Sequence, residues 1–208
     1  MSISGINGEE LAKQVIKGLT SRNMTGYFAS TKEEALNIAL SLIPKKSKVT
    51  KGGSMSVKEI GLEEAMINGD YDFCNRDIAT DKRAAELFAY DADFFLGSCN
   101  AITKDGILVN IDGNSNRVSA YAYGPKHVLL IVSLNKVADD VDSALKRARN
   151  VAAVRNVKRF GINPPCTETG SCMNCKNPST ICCQFLFTRY SRHKDRIHVI
   201  LVDEELGY

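Results

Sequence analysis

The sequence predicts an α/β fold with a mostly parallel sheet between helices, and three observations predict it. Strand-like and helix-like segments alternate along nearly all of the 208 residues. A strand, a Gly-Gly turn and a helix follow one another within residues 48–66. The apolar run "HVLLIVS" at 127–133 is followed by an amphipathic helix over 139–154. No internal repeat and no low-complexity linker divides the chain, so 1–208 reads as one domain with a cysteine-rich connection at 164–183.

Within the first 25 or so residues, Leu11, Val15, Ile16 and Leu19 fall on one helical face. "YFAS" at 27–30 reads as a strand. Thr31 and Glu34 form a capping box for a helix that Pro44 ends. Val49 and Thr50 suit a short strand, Gly52-Gly53 a tight turn, and Ser56 with Glu59 a second capping box. Residues 70–90 read as a polar loop and a helix burying Ala84, Ala85, Leu87 and Phe88. "DFFLGS" at 93–98 is a buried strand, and "AITKDGILVNI" is a hairpin turning at Asp105-Gly106. Asn116 is placed to cap a short helix that Gly124-Pro125 stops. The 139–154 helix turns Val141, Leu145, Ala148 and Ala152 inward. "QFLFTRY" and "RIHVILV" close the chain as strands on either side of a basic turn.

Composition excludes several functions. A net charge of +3 is too small to argue for nucleic acid. No apolar stretch approaches the ~18 residues of a membrane span, and the N-terminus lacks a secretory pattern, so the chain is expected to be cytoplasmic. Thiols stay reduced there, and an odd count of seven cysteines argues against a disulfide framework.

Three constellations could carry chemistry. Lys51-Gly52-Gly53-Ser54 sits at a strand-to-helix junction, where exposed N–H groups suit an anion; it reads equally as a tight turn that binds nothing. Asn100 and the segment Asp112-Gly113-Asn114-Ser115-Asn116-Arg117 lie between a strand and a helix start. If both loops share the carboxyl edge of the sheet, they converge with Arg117 into a pocket for a small anionic or nucleotide-like ligand; otherwise they are turn formers and caps. Cys166, Cys172, Cys175 and Cys182 have spacing that four-thiolate coordination could use, with zinc and an iron–sulfur cluster both open, as are free thiols. No nicotinamide or flavin motif is present. The histidines show no catalytic pattern, "RYSRHKDR" at 189–196 reads as a solvated turn, and Cys99 as a packed thiol.

"KVTKGGSMSVKEIGL", "NAITKDGILVNIDGNSNRVSAYAYGPKHV", "NKV", "RARNVAA", "PPCTETGSCMNCKNPSTICC" and "RIHVILVDEELGY" occur in this order. In these blocks the chain resembles the LUD-domain family of lactate-utilisation proteins, close to the single-domain C-subunit type, from about residue 9 to the end. The resemblance implies a three-layer α/β/α sandwich like that of ribose-phosphate isomerases and CoA-transferases. It implies a pocket at the strand ends built from Gly52, Gly53, Ser54, Asn100, Asp112, Gly113, Asn116 and Arg117. It also implies a part in oxidising L-lactate to pyruvate beside separate iron–sulfur subunits. Val154 and Arg155 stand where the family favours Pro and Asn, and Cys99 where Thr, Val or Ser is usual. No CoA-transferase nucleophile motif is seen. Three functions follow: an accessory or subunit of organic-acid oxidation, a stand-alone enzyme on a small phosphorylated or CoA-like substrate, and a zinc-stabilised scaffold without catalysis.

Overall fold

The structure is a computed structural model that describes residues 7–208. The first six residues of the N-terminal helical reading lie outside the described residues. Helix α1 (Gly8–Ser21) is capped by Asn7, whose side chain accepts from the Glu9 N–H, and buries Ala12, Val15 and Leu19. Strand β1 (Thr25–Ala29) leads to α2 (Lys32–Leu42), β2 (Lys48–Lys51), the short helices α3 (Met55–Glu59) and α4 (Leu62–Asn68), and β3 (Asp72–Cys74). Helix α5 (Lys82–Phe88), β4 (Phe94–Gly97) and the hairpin of β5 (Ala101–Thr103) and β6 (Leu108–Asp112) follow. Helix α6 (Asn116–Ala122) precedes β7 (His127–Ser133), a 3-10 turn over Leu134–Lys136 and β8 (Val137–Ala138). A continuous helix then runs as α7 (Val141–Arg147), a π-helical stretch Ala148–Ala153 and α8 (Val154–Phe160). After the one-turn helix α9 (Cys166–Thr169) come β9 (Gln184–Thr188) and β10 (Ile197–Val202).

Six strands form one all-parallel sheet in the order β1-β10-β7-β4-β2-β3. The two-residue period of the strands divides the core between its faces. Phe94, Leu96, Leu129, Ile131, Ile200 and Val202 pack against α2, α3 and α4. Phe95, Val128, Leu130, Val132, Val199 and Leu201 pack against α1 and α6. Strand β10 is buried at all six positions because it lies between β1 and β7 with helices on both sides. The predicted fold class is thus present, with one addition. A second sheet, β8-β5-β6-β9, covers part of the α1 face, and α7 and the π-helical stretch cover its far side through Ala144 and Ala148.

Several local expectations are corrected. The cap of α3 is Ser54, whose hydroxyl accepts from the Val57 N–H; Ser56 is inside the helix and buried. At Thr31 the hydroxyl caps Glu34 as expected, but the Glu34 carboxylate returns to the N–H and hydroxyl of Ser30. Residues 72–74 pair with β2 as an edge strand too short for its period to show. Helix α5 buries Ala85, while Ala84 and Leu87 face solvent, because a two-turn helix at the sheet edge has only a narrow covered stripe. Val141 and Leu145 are only partly buried, and Ala144 takes the inner position. The last two strands are not partners: β9 is antiparallel to β6 and β10 parallel to β7.

Candidate functional site

Strands β7, β4 and β2 are adjacent and parallel, so their carboxyl ends open side by side. In open α/β sheets that edge is where ligands sit. Three loops leave it: Gly52–Ser56 after β2, Ser98–Asn100 after β4, and Leu134–Lys136 after β7. They enclose a pocket that Gly53, Ser54, Asn100, Arg117 and Lys136 line, with Arg159 of α8 at its rim. No Asp or Glu lines it. The enclosed space is about 40 Å³, room for roughly three waters or one small polar group.

Lys136 is the centre of this arrangement. It is 2% exposed, and its Nζ donates to the hydroxyls of Ser56 and Ser98, each at 3.0 Å. Among the described residues it forms no ion pair. The other buried lysine, Lys51, pairs with Glu63 and Asp77 on the far side of β2. Burial pushes the Lys136 ammonium down to about 8; Arg147 and Arg117 act in the same direction, and Cys99 and Glu59 act against it. One of the two holders, Ser98, is itself held. The Tyr121 hydroxyl donates to the Ser98 carbonyl at 2.8 Å, and the Ser98 N–H donates back at 3.2 Å. Gly97 makes that contact possible, since a Cβ there would stand 2.2 Å from the Tyr121 oxygen. Burial raises the Tyr121 phenol to about 12 and the Cys99 thiol to about 11, so both stay neutral at ordinary pH.

Arg117 is fixed from three sides. Its Nε donates to Asp112 at 3.3 Å, and one terminal nitrogen donates to the Asn100 side chain at 3.3 Å and to the Ile111 carbonyl. Asn100 is pinned in turn by the Ile111 N–H at 2.8 Å. Gly52 gives the stem of Arg117 its path: a Cβ there would lie 3.0 Å from Arg117 Cγ.

Of the eight predicted pocket residues, Gly53, Ser54, Asn100 and Arg117 line the pocket, and Gly52 supports Arg117 from behind. The other three are elsewhere. Asp112 spends its carboxylate on the N–H groups of Asn114, Ser115 and Val118 and on Arg117. The N-cap position of α6 is Ser115 and not Asn116, and the Asp112 carboxylate accepts from the Val118 N–H in its first turn; Asn116 lines a separate cleft with Arg83, Glu86 and Tyr90. Gly113 lets the cysteine-rich connection approach, since a Cβ there would be 3.1 Å from Ile181 Cα. The charge of the pocket comes from side chains, because α3 and α6 have only five and seven residues. Sequence reasoning missed Ser56, Ser98, Lys136 and Arg159. The one signal for Lys136 was the "NKV" block directly after the most apolar strand.

The four predicted metal ligands also meet. Cys166, Cys172, Cys175 and Cys182 line a small cavity of about 60 Å³, while Cys183 is exposed. The π-helical stretch anchors this segment: Arg149 donates to Cys172 Sγ at 3.3 Å and to Asn174, and Asn150 accepts from the Cys172 N–H at 2.9 Å. The donor set suits a four-thiolate centre. The placement does not: among the described residues no group of three or more His, Cys, Asp or Glu side chains could hold a metal ion. Burial first, and then the neighbouring cysteines, raise Cys182 to about 11, which keeps it a thiol.

A larger cleft, about 780 Å³, lies at the opposite edge of the sheet, between residues 121–127 and the basic 189–196 turn. That is the amino end of β7 and β10, away from the convergent loops. No helix of the described residues is long and apolar enough to cross a membrane.

A family model described as "LUD domain" matches residues 12–202. Among solved structures, a DUF162 family protein from Deinococcus radiodurans superposes with a TM-score of 0.55 at 13% identity, covering 96% of this chain and 99% of the other. No curated protein matches the sequence.

Proposed function

The chain belongs to the LUD-domain family, and from that premise we propose that its Lys136 pocket takes up a small organic-acid anion of the lactate or pyruvate class. On this reading the protein serves organic-acid oxidation as an accessory or subunit. The observation that carries the proposal is a pocket at the carboxyl edge lined by Lys136, Arg117 and Arg159 and, among the described residues, by no acidic side chain. Among the described residues the buried ammonium bonds to two hydroxyls and forms no ion pair, and a carboxylate would supply one. The test is thermal unfolding against lactate, pyruvate, phosphate, a sugar phosphate and CoA. A carboxylate ligand should stabilise by roughly 3 kcal/mol at a hundredfold excess over Kd. Protection by CoA or sugar phosphate alone would favour a stand-alone enzyme of the alternative class, and no protection by any of them would reject the pocket.

A second reading rests on the four thiols that face one cavity. We propose that they take zinc or an iron–sulfur cluster once the 164–183 connection draws inward, which would set the chain beside iron–sulfur subunits. Anaerobic purification with metal and sulfide analysis tests it, and less than about half a metal per chain rejects it.

A further inference from the structure

Lys136 differs from an ordinary anion-binding lysine in how its nitrogen is held. An ammonium has three N–H groups. The two serine hydroxyls accept two of them. The third direction is left for the pocket. Gly207 crosses in front of the nitrogen with φ +57, and a Cβ there would lie 3.2 Å from Nζ and 2.7 Å from Ser56 Oγ. The missing side chain keeps the approach open. A lysine that is desolvated and set near other cations is the arrangement that gives a nucleophilic amine. Here the cations are Arg117 and Arg147, and Arg147 is fixed behind the site by the carbonyls of Asn135 and Asn100.

We propose that Lys136 Nζ is a nucleophile that forms an imine with the carbonyl carbon of a small 2-oxo acid, whose carboxylate pairs with Arg117 and Arg159. This rests on the organic-acid reading of the pocket. The neutral amine directs its lone pair at the carbonyl carbon. The C–N bond forms, the C=O pair moves to oxygen, and that oxygen takes a proton to give a carbinolamine. The hydroxyl then leaves as water with a second proton while the nitrogen loses its remaining transferable proton, and C=N forms. No oxidant or reductant is needed. Ser56 and Ser98 accept from the amine as it attacks; the imine nitrogen keeps no N–H and then accepts from the Ser56 hydroxyl.

The test uses the full chain, pyruvate as the smallest 2-oxo acid, and cyanoborohydride, which reduces an imine to a stable amine. The expected result is one adduct per chain, heavier by the acid less one oxygen, mapped to Lys136 and saturating with pyruvate. Lys136→Arg keeps the charge but not the nucleophile, so it should lose the adduct and still be thermally protected by pyruvate. Gly207→Ala keeps the lysine and obstructs the approach, so it should slow adduct formation at least tenfold while the fold, read by circular dichroism, is retained. Adducts spread over surface lysines with Lys136 unmodified, in a chain that pyruvate protects, would overturn the imine and leave the pocket standing. Neither adduct nor protection would remove both.

Discussion

The Lys136 pocket and the cysteine connection are opposite kinds of candidate. The pocket draws on residues from six parts of the chain, from Gly53 to Tyr208. Each key side chain in it is fixed by a second group: Lys136 by two serines, Ser98 by Tyr121, Arg117 by Asp112 and Asn100. The connection gathers five of the chain's seven cysteines within residues 164–183. Among the described residues its four sulfurs share a cavity without a metal-holding geometry, and only Cys172 has its sulfur held from outside the segment. Density of reactive residues in sequence and construction in space are separate properties. A site that works without rearrangement needs the second.

Lys136→Met should separate the regions most sharply. It should weaken binding of a small organic acid at least tenfold, the loss of one charge-assisted contact. It should also stabilise the protein. Holding the ammonium at about 8 rather than 10.5 costs about 3 kcal/mol at neutral pH. Leaving the two serine hydroxyls with less to bond returns about 1 kcal/mol each, so the net gain is about 1 kcal/mol at pH 7. The sign with pH is fixed by linkage. A base whose folded pKa is lowered binds fewer protons folded than unfolded between about 8 and 10.5, so its penalty is complete below 8 and is relieved as pH rises. The stability advantage of Lys136→Met should therefore shrink across pH 8–10.5 and reverse near its top. Chemical denaturation at pH 7 and pH 10 measures this. A constant difference would show that Lys136 is not buried as a charge.

Gly52→Ala should have a middling effect. The new Cβ meets Arg117 Cγ at 3.0 Å and the Phe95 ring at 3.3 Å. Displacing Arg117 should weaken ligand binding about tenfold and cost about 1 kcal/mol of stability. Unchanged binding in a calorimetric titration would take Arg117 out of the site. Cys172→Ser should do least. With no metal bound it should change global stability by under ~0.5 kcal/mol and leave the pocket's affinity intact, while limited proteolysis should cut faster within 164–183. Global unfolding of this variant would make the connection part of the core after all.

Much of the fold could be read from the sequence where period and length were both generous. β7 and α1 carry enough residues to show their patterns. β3 and α5 were misread because three residues and two turns at a sheet edge bury too little to impose a pattern. The pairing of β9 with β6 depends on where the 164–183 connection crosses the molecule, which no local pattern records. The site divided in the same way. Gly52, Gly53 and Ser54 were readable because a Gly-Gly turn after a strand is a local sign, Asn100 because it ends a buried strand's loop, and Arg117 because it closes the distinctive 112–117 segment. Asp112, Gly113 and Asn116 share that segment, but the αL backbone of Ser115 and the backbone contacts of Asp112 turn them away from the pocket. Lys136 was missed because its chemistry comes from burial and from serines 80 and 38 residues away.

Calorimetric titration of pyruvate into the wild-type chain, Lys136→Met and Cys172→Ser compares the two regions directly. The account predicts saturable binding by the wild type, equal binding by Cys172→Ser, and at least tenfold weaker binding by Lys136→Met. Wild-type affinity in Lys136→Met, or loss of binding in Cys172→Ser, would contradict it.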